Sequence, residues 1–240
     1  MEAAGVDSEE RRNIRSTPVI KRPCPETPVS KRSSSVGRRP LRPTSTTMRT
    51  ETGVQVYTGQ KNDWTIVPRD DTTTVVIGDS NLKRVPHVPV RWEVHSLPGA
   101  TPAHVVRAVD RLQKTTALQN VIIQAGINYR GKGREDFIEN EFRSMVSTLS
   151  QLNVEYAFVG ISTSTLMPEA ERKQCEYINE VARNTFGMQN YIAPLRQDDV
   201  IIEQHDMLGI HYNTNTTDRV MQSIASHIVP NLVFPRRTTQ

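Results

Sequence analysis

Four groups suited to acyl transfer are spaced along the chain, each in a short segment rich in glycine or asparagine. They are Ser80 in VVIGDSN, Gly99 in SLPGAT, Asn128 in AGIN and His211 in LGIHYN. Together they offer a hydroxyl, a backbone amide unshielded by a side chain, a carboxamide and an imidazole. Acyl transfer requires a nucleophile, donors for the oxyanion and a base. A serine at a strand-to-helix turn projects its hydroxyl from the sheet, and its own amide lies where a helix start favours negative charge. Gly78 lets the backbone turn sharply just before it. Gly99 can present a second amide to the same oxygen and Asn128 a third donor, while His211 would take the proton from Ser80 and return it to the leaving group.

These residues need elements to position them, and the apolar pattern supplies such elements from about Thr72 onward. TTTVVIG is a run of β-branched residues closed by Gly78 and predicts a buried strand, with a helical stretch from Ser80. RWEVHSL, NVIIQAG, VEYAFVGI and a short segment at Tyr191–Ala193 predict four more strands. TPAHVVRAVDRLQ predicts a helix with Thr101 as cap, Pro102 in the first turn and Val105, Val106, Val109 and Leu112 on one face. EDFIENEFRSMVSTLSQL predicts a second helix with Phe137, Ile138, Phe142, Met145 and Leu149 inward. PEAERKQCEYINEVARNTF and residues from about Asn215 to Ile228 complete the set. Strands alternating with helices of ten or more residues predict a parallel sheet covered on both faces, with chemistry at the carboxyl ends of the strands. Ser80, Gly99 and Asn128 each follow one of those ends, and His211 stands just before the last helix.

The N-terminal part of the chain has a different composition. The first fifty residues carry eleven Lys and Arg against five acids, whereas the whole 240-residue chain has a formal net charge of +4. The basic character therefore resides in the tail, and its Pro, Ser, Thr and Arg content cannot bury enough surface to offset ordering entropy. The expected organisation is a disordered basic tail over 1–53, a lead-in over 54–71 that packs Trp64 against the domain, one α/β domain over 72–232 and a short tail over 233–240. Cys24 and Cys175 form no disulfide framework and no metal-ligand spacing, which suggests a reducing compartment. No apolar stretch of signal-peptide or membrane-spanning length occurs. The expected location is intracellular, in nucleus or cytoplasm, and neither a metal nor a cofactor is expected. The basic pairs Lys21-Arg22, Lys31-Arg32 and Arg38-Arg39 make nucleic acid a candidate partner for the tail.

Taken in order, the four segments resemble the conserved blocks of the SGNH (GDSL-like) hydrolases. Ser80 matches the serine of the first block, Gly99 the glycine of the second, Asn128 the asparagine of the third and His211 the histidine of the fifth. The resemblance covers roughly residues 72–230. It implies a three-layer α/β/α, flavodoxin-like fold with a five-stranded parallel sheet. It also implies an esterase in which Ser80 and His211 are catalytic, Ser80, Gly99 and Asn128 form the oxyanion hole, and a small acyl ester is the substrate. More loosely, the first block behind a basic tail is similar to the SGNH-type domains of vertebrate retrotransposon open reading frames.

The chain departs from the family pattern at three places, one being the glycine often found shortly after the histidine, which is absent from HYNTNTT. The aspartate usually found three residues before the histidine is replaced by Leu208, and the aspartate that usually follows the block-three asparagine is replaced by Tyr129. Asp206, five residues before His211, is the carboxylate left to orient the ring. The sequence thus leaves open a working Ser-His dyad and a degenerate site retained as a binding or assembly module. Each fragment alone also has an ordinary explanation: Ser80 as a helix cap, Gly99 and Asn128 as turn residues, His211 as a loop histidine. Substrate identity and oligomeric state depend on loops and surfaces that the pattern does not specify.

Overall fold

A computed structural model describes residues 46–131 and 135–228. The tail as far as residue 45, with Cys24 and the basic pairs, lies outside the described residues, as does the segment 233–240.

The predicted strands form as a run of parallel neighbours: β3 (Thr74–Gly78), β4 (Trp92–Ser96), β5 (Asn120–Gln124), β6 (Glu155–Val159) and β7 (Tyr191–Ile192). The sheet is larger than the five strands expected. Two further strands, β1 (Thr46–Arg49) and β2 (Gln55–Thr58), extend one edge, so the order is β1-β2-β4-β3-β5-β6-β7. β2 joins β4 in parallel and β1 closes antiparallel onto β2. Each is only four residues long and mixes polar with apolar side chains, which is how an edge strand differs from a buried central one. β1 falls within the stretch read as tail, and β2 within the lead-in.

Four helices cover the sheet: α1 (Pro102–Asp110), α2 (Glu135–Gln151), α3 (Glu169–Phe186) and α4 (Thr214–Ile228). Strand periodicity decides which core each side chain enters. Val75 and Ile77 of β3 pack with α1, α2 and α3, while Val76 between them packs with Val220, Met221 and Ile224 of α4. The layers are therefore α/β/α. Trp64 is buried in the first of these cores and meets Tyr57 edge-on at 6.3 Å, so the lead-in does pack its tryptophan on the domain.

One inward assignment on α2 is wrong. Phe137 is 48% exposed, because the buried stripe runs through Ile138, Glu141, Phe142, Met145 and Leu149, one position further on. Glu141 takes a core position because its carboxylate is occupied: Oε1 accepts from Tyr129 Oη at 2.8 Å and Oε2 from the Ala103 amide at 3.1 Å. His95 on β4 is likewise fully buried, with Nδ1 3.1 Å from Tyr57 Oη and Nε2 3.2 Å from Glu93 Oε2. Burial acts to raise the Glu93 carboxyl, but bonds from His95, the Arg69 amide and Thr72 bring it down to about 2.

Truncating Trp64 should empty a large volume at the junction of lead-in and core. Trp64→Ala is expected to lower unfolding free energy by about 3–5 kcal/mol, read from the midpoint of urea denaturation. An unchanged midpoint would mean that residues 54–71 are not part of the folded unit.

Candidate active site

The core strand order β4-β3-β5-β6-β7 reverses direction at β3, and in sheets of this kind ligands bind beyond the carboxyl ends of the strands at that point, here where the loops after β3, β4 and β5 lie. Ser80 stands there as the first residue of a 3-10 turn, Ser80–Arg84. Gly78 makes the turn possible by its size: a Cβ at this position would lie 2.6 Å from the Gln124 carbonyl oxygen and 2.7 Å from Leu82 Cδ1. Asp79 caps the turn, its Oδ1 accepting from the Asn81 amide at 2.9 Å. Ser96, the last residue of β4, donates its hydroxyl to the Asp79 carbonyl at 3.0 Å. That carbonyl belongs to the same planar peptide as the Ser80 amide, so Ser96 helps to set the direction in which the amide points.

Gly99 follows β4 in a turn closed by the Ala100 amide on the Leu97 carbonyl at 3.0 Å, and its φ of +69° favours glycine. Asn128 lies in the 3-10 turn Ile127–Tyr129 after β5 and donates Nδ2–H to the Ala100 carbonyl at 2.8 Å. A carboxamide nitrogen carries two hydrogens, so one donor remains after this bond. The structure thus joins the Gly99 and Asn128 loops directly. Tyr129, standing where the family places aspartate, points into the core and bonds Glu141.

His211 sits on a loop wrapped around one carboxylate. Asp206 Oδ2 accepts from the amides of Ile210 at 2.8 Å and His211 at 2.6 Å, and Oδ1 from Leu208 at 3.2 Å. The same Oδ2 lies 3.3 Å from His211 Nδ1. The loop folds back far enough for a carboxylate five residues away to reach the ring, while Leu208, at the usual acid position, is exposed. Partial burial acts to raise the Asp206 carboxyl, but the three amides and the imidazole together hold it below its ordinary range.

Two contacts tie this loop to the serine turn. The Tyr212 amide donates to Asn81 Oδ1 at 3.0 Å, and Arg84 pairs with Glu203 at 2.6 Å. The residue after the serine is therefore bonded to the residue after the histidine. Ser80 Oγ and the His211 ring make no hydrogen bond to each other among the described residues. Pattern reading missed Asn81, Ser96 and Arg130. Only Asn81 had an available signal, as the letter following Ser80. Arg130 pairs with Glu171 at 2.7 Å, and its charge acts on the buried Asp79. A cleft of about 260 Å³ between Arg49, Arg69 and Arg91 lies at the amino ends of β2 and β4 and contains none of the four loops. Among the described residues no group of His, Cys, Asp and Glu could hold a metal ion, and Asp199, next to Asp198, pairs with Arg219 at 3.2 Å.

Two outcomes follow from this geometry. Asn81→Leu keeps the branched heavy-atom outline but removes the acceptor of the buried Tyr212 amide, so it should cost about 1–3 kcal/mol in chemical denaturation, and a change within error would contradict the role. Asp79 is buried, which pushes its carboxyl up to about 6 against the opposing pull of the Asn81 amide and Arg130. A carboxyl whose folded pKa is raised holds its proton more tightly in the folded state. Stability from Asp79 is therefore full below the unfolded value near 4 and is lost as pH rises through about 6. Asp79→Asn should abolish that fall, on the order of 3 kcal/mol, and an identical pH dependence in the two proteins would refute it.

No protein-family model matches the chain, and comparison with curated proteins finds no match. Solved structures do match. A GDSL-like lipase from Bacteroides thetaiotaomicron aligns with TM-score 0.54 and 15% identity over 68% of this chain and 90% of its own. A carbohydrate acetylesterase from Sinorhizobium meliloti aligns with TM-score 0.50 and 13% identity over 67% of this chain and 100% of its own. Identity this low speaks to architecture alone: the chain has the SGNH hydrolase fold.

Proposed function

We propose that the chain is a serine esterase or acyl hydrolase in which Ser80 is the nucleophile and His211 the base. The observation that carries this reading is the Asp206–His211 contact of 3.3 Å, on a loop bonded to the serine turn through Asn81. An Nδ1–H held by Asp206 leaves Nε2 as the acceptor, the tautomer a general base needs. His211 Nε2 takes the Ser80 proton as Oγ attacks the acyl carbon. The resulting oxyanion is met by the amides of Ser80 and Gly99 and by the second Nδ2 hydrogen of Asn128. The imidazolium is stabilised by Asp206 and protonates the leaving alkoxide, after which water repeats the cycle on the acyl enzyme. The lipase and acetylesterase among the structural neighbours support ester chemistry, and a small acyl ester is the proposed substrate.

The competing reading is a catalytically silent SGNH-like module for binding or assembly. Tyr129 favours it, because the residue in the family's aspartate position is committed to Glu141 rather than to the rim. In either case the +6 segment of residues 1–50 is proposed to associate with nucleic acid, through phosphate contacts that weaken with salt. No helix among the described residues is long and apolar enough to cross a membrane.

Turnover of a short-chain nitrophenyl ester separates the two readings. Ser80→Ala and His211→Ala should both reduce the rate to background, and Asp206→Asn should reduce kcat by up to about 10⁴-fold. Equal rates for wild type and Ser80→Ala would remove the esterase reading. Robust turnover that needs both Ser80 and His211 would remove the silent module.

A further inference from the structure

The loop that follows β4 is held by its carbonyls from two directions. Asn128 takes the Ala100 carbonyl, and Lys61 Nζ donates to the neighbouring Gly99 carbonyl at 2.6 Å. Lys61 precedes every strand of the predicted core. It belongs to the 3-10 turn Lys61–Asp63 in the lead-in, and its side chain is half-buried. The turn is firmly seated: Arg107 Nη1 donates to Asn62 Oδ1 at 2.6 Å, Arg111 donates to the Asn62 carbonyl, and Trp64 just beyond is buried. The lysine is thus delivered by a docked segment rather than by a loose surface chain.

Gly99 is adapted to this contact. A Cβ there would lie 2.7 Å from Lys61 Nζ, so the missing side chain is what lets the ammonium come so near. Pro98 and Gly99 occupy the middle of the turn Leu97–Ala100, and φ of +69° at Gly99 is that of the third residue of a type II turn. The middle peptide of such a turn carries the Gly99 amide and can flip between turn types. The Gly99 carbonyl belongs to the next peptide, shared with the Ala100 amide, so Lys61 and the Ala100–Leu97 bond together hold the far end of the turn, and the ammonium adds positive charge beside the loop.

We propose that Lys61 is a positioning residue for the oxyanion loop: it anchors the turn that carries the Gly99 amide by holding the carbonyl at its far end, and its charge favours the anionic transition state. This rests on the esterase reading of the site. It gives the lead-in a part in the chemistry in addition to its part in the core. An interaction that matters only as negative charge develops should alter kcat and leave KM nearly untouched.

The test uses the full chain in a Cys24→Ser background and a short-chain nitrophenyl ester. Three forms are compared: Lys61, Lys61→Met, and Lys61→Cys after aminoethylation with bromoethylamine, which restores an ammonium at almost the same reach. The buried Cys175, whose thiol burial pushes up to about 12, should not react. Lys61→Met is expected to lower kcat about tenfold, less than the loss of a direct oxyanion donor, with KM within about twofold. Aminoethylation should recover most of the loss. A Lys61→Met kcat equal to wild type overturns the proposal. A loss that aminoethylation does not restore, or one carried by KM, overturns it as well, since Lys61 would then be structural or substrate-binding. Wild-type turnover no higher than that of Ser80→Ala overturns the esterase reading itself, and the Lys61 role with it.

Discussion

The hydrogen bond from the Tyr212 amide to Asn81 Oδ1 joins two loops 131 residues apart and governs how the candidate site is assembled. Both partners are buried, so the bond is worth more than an exposed one and its loss would strand a desolvated amide. Each end is braced by further bonds. Asn81 donates its own amide to Asp79, and the Tyr212 hydroxyl donates to the Ser162 carbonyl at 2.6 Å while accepting from the Ser162 amide at 3.0 Å. A chain of bonds therefore runs from the carboxyl end of β3, through the histidine loop, to the loop after β6.

The acid that faces His211 illustrates how local backbone geometry can substitute for a sequence position. Leu208 replaces the aspartate of the usual spacing, yet Asp206 reaches the ring because the loop between them curls around its carboxylate. The three amides that form this nest also hold Asp206 ionised, so the charge available to an imidazolium is set by backbone as well as by side chain. At the proposed oxyanion side the same economy appears. Asn128 and Lys61 hold successive carbonyls of one short loop, and each does so from a different segment of the chain.

The central strands were legible because β-branched runs such as TVVIG and NVIIQ are closed by a turn or a glycine and separated by helices of clear period. The positions of Ser80, Gly99 and Asn128 followed from the rule that chemistry collects at strand carboxyl ends. What escaped detection was short or tertiary. TTMR and QVYT are too brief and too polar for a period of two to stand out; QVYT becomes a strand because the edge of β4 is there to pair with, and TTMR because it can close onto QVYT. The amphipathic pattern of α2 places Phe137 inward beside Ile138, whereas Glu141 enters the core on the strength of two hydrogen bonds that no local pattern encodes. The reach of Asp206 and the grip of Lys61 depend on loop paths, which single-sequence periodicity does not describe.

If the loops converge as described, Ser80 is the serine whose hydroxyl is activated. The most direct measurement is treatment of the intact protein with a fluorophosphonate, followed by peptide mass spectrometry to locate the adduct. A single phosphonyl group on the peptide bearing Ser80, absent from the His211→Ala protein, is the result this account predicts. An unmodified Ser80, or an adduct that forms equally well without His211, would contradict it.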